Sequence, residues 1–72
     1  DAQAVLARLT KYYADGQQDR LDGLTVEYPD WWFNFRTSNT EPVVRLNVEA
    51  KTDDQLTKQM TELTAIIQGE RA

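Results

Sequence analysis

The sequence contains no cysteine and no histidine. Without cysteine, neither a disulfide framework nor a thiolate metal site can hold a small fold together. Without histidine, the commonest general base and the commonest metal ligand are both missing. Glycine and proline are scarce, at 3 and 2 residues, and no linker, repeat or low-complexity segment divides the chain. No apolar run approaches the roughly 20 residues that span a bilayer. Basic residues are outnumbered 8 to 12, for a net charge of −4, whereas nucleic-acid binders normally present a basic face. What remains suits a packed core: 40% hydrophobic residues, with 2 tryptophans and 3 tyrosines. At 72 residues the chain is expected to form a single domain over residues 1–72. Chains of this size bury only about 60% of their unfolded surface, which leaves little room for an enclosed cleft. The chain opens at Asp1 rather than at methionine, so it is expected to be a fragment of a longer one.

Periodicity orders the chain as helix, strands, helix. Val5, Leu6, Leu9, Tyr12 and Tyr13 recur at helical spacing and predict a helix over Ala2–Asp15, with Gly16 placed to cap it in the left-handed conformation. Gln17–Leu21 is short and polar, an edge strand, and Asp22-Gly23 is the turn dipeptide of a tight hairpin. Leu24–Tyr28 and Trp31–Arg36 alternate apolar and polar residues about a Pro29-Asp30 turn. Val43–Ala50 alternates again, with Val44, Leu46, Val48 and Ala50 opposite Val43, Arg45, Asn47 and Glu49. Such strands suit an antiparallel sheet covered on one face only. Thr52-Asp53-Asp54-Gln55 has the form of a capping box, and Leu56, Met60, Leu63 and Ile67 make the apolar stripe of a second helix closed by Gly69. Met60 reads as core filler in that stripe rather than as a metal ligand. Asp53 and Asp54 read as helix-dipole partners, since no third carboxylate joins them in register. The expected fold is α+β: two layers, an antiparallel sheet of three to four strands with two helices on one face.

Between the third and fourth strand-like runs lies Arg36-Thr37-Ser38-Asn39-Thr40-Glu41-Pro42. Arg36 offers a planar, permanently charged fork suited to carboxylate or phosphate. Ser38 and Thr40 add hydroxyl donors. Asn39 adds an amide and tolerates the left-handed conformation in which successive backbone N–H groups form an anion-binding nest. Pro42 keeps Glu41 out of helix and returns the chain to an extended path. The same residues are also ordinary turn formers, because Ser, Asn and Thr bond their own backbone. Ser38 is the only serine and has no general base beside it, so nucleophilic catalysis is not expected. Arg45 lies on the polar face of the strand leaving the loop and supplies a second charge.

The run Arg36–Ala50 resembles the phosphate-binding loop and following strand of the C-terminal domain of the α-D-phosphohexomutases. Asp22-Gly23, a strand and Trp31–Arg36 repeat the order of elements that precedes the loop in that family. The likeness covers Asp22–Ala50. It implies a fold similar to the TATA-box-binding protein, without implying DNA binding. It also implies that Arg36, Thr37 (through its backbone), Ser38, Asn39 and Thr40 hold the substrate phosphate that is not being transferred, with Arg45 matching a second arginine used in some branches. Ser38-Asn39-Thr40-Glu41-Pro42 is similar to the phosphomannomutase/phosphoglucomutase branch, whereas phosphoglucosamine mutases usually carry glycine where Asn39 stands.

The resemblance further implies a parent enzyme that interconverts hexose 6-phosphate and hexose 1-phosphate through a bisphosphate. In such enzymes the phosphoserine, the acidic Mg²⁺-binding loop and the sugar-reading loop lie in preceding domains. No catalytic residue and no metal or cofactor site is therefore expected in this chain, which alone should be inactive. Its expected partners are a mannose or glucose phosphate and the other domains of the parent, not nucleic acid or membrane. By itself it is expected to be a monomer, and its location cytoplasmic. The alternative is a free-standing anion- or peptide-binding module with no catalytic parent. Nucleic-acid binding on the open sheet face would have to rest on Trp32, Arg36 and Arg45, and the acidic balance disfavours it.

Overall fold

In a computed structural model describing residues 2–21, 23–38 and 43–69, two helices cover one face of a four-stranded antiparallel sheet. The order is α1 (Ala2–Tyr12), β1 (Gln17–Asp19), β2 (Leu24–Glu27), β3 (Trp31–Thr37), β4 (Val44–Ala50) and α2 (Asp53–Ile67). The strands form a plain meander in sequence order. Alternation in β2 and β3 sorts the side chains as expected: Leu24, Val26, Trp31, Phe33 and Phe35 are buried against the helices, and Thr25, Glu27, Trp32, Asn34 and Arg36 face away. Val5, Leu9 and Tyr13 from the first helical segment and Leu63 and Ile66 from α2 complete the core. Tyr13 sits at its centre, edge-on to Trp31 and Phe33 with ring centroids 5.7 and 5.0 Å away. Among the described residues, no helix is long and apolar enough to cross a membrane.

Four local expectations change. First, α1 stops at Tyr12, and Gly16 is not in the left-handed conformation. Its glycine is required by crowding instead: a Cβ there would stand 2.4 Å from Val26 Cγ1 and 2.8 Å from Tyr28 Cζ. The end of the helix is satisfied by Gln18, whose Nε2 donates to the carbonyls of Thr10 and Tyr13 at 2.9 and 3.2 Å. Second, β1 ends at Asp19 rather than Leu21, because the Asp19 carboxylate accepts from Leu21 N–H at 2.8 Å and turns the chain early. The β1–β2 connection is therefore longer than a two-residue hairpin, with Asp19 opposite Thr25. Third, Met60 is 38% exposed, because the first half of α2 runs beside the sheet edge and not over the core. Fourth, the buried stripe of α2 is consequently Leu63 and Ile66, with Leu56 and Ile67 only half-buried.

Both ends of α2 are closed. The Thr52 hydroxyl accepts from Gln55 N–H at 3.1 Å, and Asp53 and Asp54 occupy the positive first turn. Gly69, with φ of 81°, donates its N–H to Ile66 O. No basic residue lies in the last turn; Arg8 of α1 supplies one, donating Nε and one terminal nitrogen to Ile66 O and Ile67 O, each at 3.2 Å. Hydrogen bonds to charged groups contribute roughly 1.5–3 kcal/mol. Arg8→Ala is therefore expected to destabilise the domain by about 1–3 kcal/mol in urea denaturation. Arg8→Lys should recover only part of that loss, having one point charge for two carbonyls.

Tyr28 closes the far end of the sheet. Its ring stacks on Trp31 at 5.0 Å and its hydroxyl donates to Asp15 at 2.7 Å. Burial first, and then the hydrogen bond to the Asp15 carboxylate, raise its pKa above that of an ordinary tyrosine. The folded pKa thus exceeds the unfolded one, so this contribution is intact below about pH 10 and declines as the pH rises further. Wild-type stability should fall above that pH, and Tyr28→Phe should fall less steeply over the same range in a pH series of thermal melts.

Candidate functional site

The meander brings the β1–β2 connection and the β3–β4 loop to the same end of the sheet. There the register sets Arg36 directly opposite Arg45, both exposed, on the face the helices leave open. The bond from Ser38 N–H to Val43 O, 3.0 Å, fixes the phase of the β3–β4 ladder. Arg36 and Arg45 are by that phase a hydrogen-bonded pair, with Cα atoms about 5.5 Å apart. Like charges directly opposite disfavour a sheet by a few tenths to about 1 kcal/mol. An anion shared between them turns that repulsion into two attractive contacts.

Along the open face the rows change character. Next to the arginines come Thr25, Asn34 and Asn47, with Asn34 Nδ2 donating to Thr25 Oγ1 at 3.0 Å. Beyond them lie Glu27, Trp32 and Glu49. Two residues along a strand is roughly 6.6–6.8 Å, so Glu27 and Glu49 leave the backbone about 13 Å along the strands from the arginines. At ordinary ionic strength this exceeds the screening length of about 8–10 Å. On the open face the two strand arginines and the two strand carboxylates thus sit at opposite ends, although the chain carries a net charge of −4.

Of the residues singled out from the sequence, Arg36 and Arg45 are brought together. Thr37 ends β3 opposite Val44 and is exposed. Ser38 is half-buried, and its backbone N–H is committed to Val43 O, so it is not among the donors of a backbone nest in this conformation. Asn39, Thr40, Glu41 and Pro42 lie outside the described residues. Sequence reasoning missed the part played by Gly23. With φ of 75°, it lies so close to β3 that a Cβ would meet Phe35 O at 2.5 Å and Arg36 Cβ at 2.8 Å. The β1–β2 connection thus backs directly onto the base of Arg36. The signal was present, since Gly23 stood out as a turn residue, but its contact with another strand was not visible.

Two guanidinium groups side by side on one face are chemistry suited to an anion. Among the described residues, no group of three aspartate, glutamate, histidine or cysteine side chains converges as a metal site.

A family model described as "Phosphoglucomutase/phosphomannomutase, C-terminal domain" matches residues 1–66. The chain belongs to this family. A phosphomannomutase of Escherichia coli is 50% identical over 64 residues, which is 86% of this chain and 14% of that protein. The "phosphohexose mutases" protein of Xanthomonas campestris pv. campestris (strain B100) is 40% identical over 72 residues, 96% of this chain and 16% of its own length. A phosphomannomutase of Methanocaldococcus jannaschii is 31% identical over 67 residues, 93% and 15% of the two lengths. The chain therefore spans only about a seventh of the length of these curated relatives. The mutase C-terminal domain family is the assignment that the loop sequence pointed to.

Proposed function

We propose that this mutase C-terminal domain holds the phosphate of a hexose phosphate for a phosphomannomutase-type parent enzyme. Arg36 and Arg45 grip the dianion from β3 and β4, and Ser38, Asn39 and Thr40 complete its coordination. The observation that carries this reading is the placement of two arginines directly opposite each other near the end of β3 and the start of β4. The names of the relatives supply the reaction class. Phosphoryl transfer needs a donor, in-line positioning and charge neutralisation by metal. The parent's other domains would supply these, including the Mg²⁺ site, in a cytoplasmic enzyme. The domain's own work is electrostatic: it orients the phosphosugar and offsets the charge of the phosphate not in transfer. A phosphate carries no sugar stereochemistry, so this site serves mannose and glucose phosphates alike.

An exposed site loses most of its hydrogen-bond energy to water and salt. The 72-residue chain should therefore bind mannose 1-phosphate and mannose 6-phosphate with dissociation constants on the order of millimolar, about −4 kcal/mol. Calorimetric titration checks this. Free mannose should give no binding heat, and with Mg²⁺ present the two phosphates should not be interconverted. Equal binding of mannose, or turnover by the chain alone, would overturn the reading.

A further inference from the structure

At its other margin the sheet presents a long strand with a neighbour on one side only. β4 is the last strand in the order, and among the described residues nothing pairs with its outer edge. The opposite margin, β1, is three residues long and polar, which blunts it. β4 has seven residues and no proline or bulge. The bonds from Ser38 N–H to Val43 O and from Lys51 N–H to Asp30 O set its phase. Arg45, Asn47 and Glu49 turn their backbone groups toward β3, so Val44, Leu46, Val48 and Ala50 turn theirs outward. Beside this edge runs a groove of about 570 Å³, lined on the helix side by Leu46, Val48, Leu56 and Met60. Val44 is 49% exposed at the start of the strand.

We propose that the outer edge of β4 pairs with the same edge of a second copy of this chain, antiparallel about a two-fold axis passing through Asn47 perpendicular to the sheet. Such an axis keeps the helices of both copies on one side. On the open face it sets Arg45 of each copy against Glu49 of the other, with the two Asn47 side chains meeting between these pairs. On the covered face it sets Val44 against Ala50 and Leu46 against Val48. Those four residues are the ones whose backbone groups point outward, so the hydrogen-bond phase and the side-chain match agree. Moving the axis to Leu46 would set Arg45 against Asn47; moving it to Val48 would set Arg45 against Lys51. Of these axes, only the one at Asn47 pairs opposite charges. In the helix layer, Leu56 and Met60 of the two copies approach across the axis and close the groove. This pairing takes the place of the monomer expected from the sequence, and it draws on Arg45, which the phosphate reading also uses, so bound phosphate should weaken it.

Sedimentation equilibrium of the 72-residue chain, from about 10 μM to about 1 mM, should show the mass rise from 8.3 kDa toward twice that value. Glu49→Arg sets arginine against arginine twice per dimer and should weaken association about tenfold or more; adding Arg45→Glu should restore it. Amide dispersion shows whether each variant is folded. Independently, residues opposite at a non-hydrogen-bonded position have Cα atoms about 4.5 Å apart, within disulfide reach. Asn47→Cys should therefore yield a covalent dimer under mild oxidation, while Thr25→Cys, on the same face but in an interior strand, should not. A monomer at 1 mM, association indifferent to the charge swaps, or equal cross-linking of the two cysteine variants would overturn the proposal. The first of these results would leave the edge to another segment of a longer chain.

Discussion

Arg36→Ala is expected to remove phosphosugar binding from the domain, weakening it by about tenfold or more and so taking it beyond a practical titration range. Arg36→Lys should recover little. A guanidinium presents parallel N–H donors in a plane matching two phosphate oxygens, whereas an ammonium presents a point charge on a flexible stem. Arg45→Ala should weaken binding in the same direction. Because both side chains are exposed, all these affinities should fall as salt is raised. Calorimetry at two ionic strengths with each variant provides the measurement.

The second large effect is expected at Gly23. Alanine there meets two separate penalties. A left-handed φ costs a non-glycine residue about 1–2 kcal/mol. The added Cβ would also stand 2.5 Å from Phe35 O, a backbone atom inside β3, so the strand or the connection must move. For a domain of this size, each kcal/mol lowers Tm by roughly 4–8 °C. Gly23→Ala should therefore melt about 5–15 °C below wild type. The displaced backbone is that of Phe35 and Arg36, so the variant should also bind phosphate more weakly at temperatures where it remains folded. A variant that is destabilised yet binds normally would show that Gly23 serves the fold and not the placement of Arg36.

Much of this molecule is legible in its sequence, for identifiable reasons. Trp31, Phe33 and Phe35 alternate with Trp32, Asn34 and Arg36 because the sheet has one covered face, and period-two patterning reports that directly. Thr52 is recognisable as an N-cap because capping is local chemistry. The parts that were not legible depend on contacts between elements distant in sequence. Met60 fits the helical stripe, but whether that stripe meets core or open edge depends on where α2 lies over β4. Gly16 looks like a helix cap and is in fact a gap left for Val26 and Tyr28. At the site, alternation places Arg36 and Arg45 on the polar face, but only the pairing register shows that they are directly opposite. The identity of the loop residues, by contrast, was enough to point to the family that matches residues 1–66.

Whether a phosphate sits at the loop end of the open face, between Arg36 and Arg45, can be read residue by residue. The experiment is an amide chemical-shift titration of the isotopically labelled chain with mannose 1-phosphate, mannose 6-phosphate, inorganic phosphate and free mannose. Saturable shifts should cluster at Thr37–Glu41 and around Arg45 for all three phosphates, with none for mannose. Shifts of equal size with free mannose, or shifts centred on α2 between Leu56 and Ile67, would rule out a phosphate site between the two arginines.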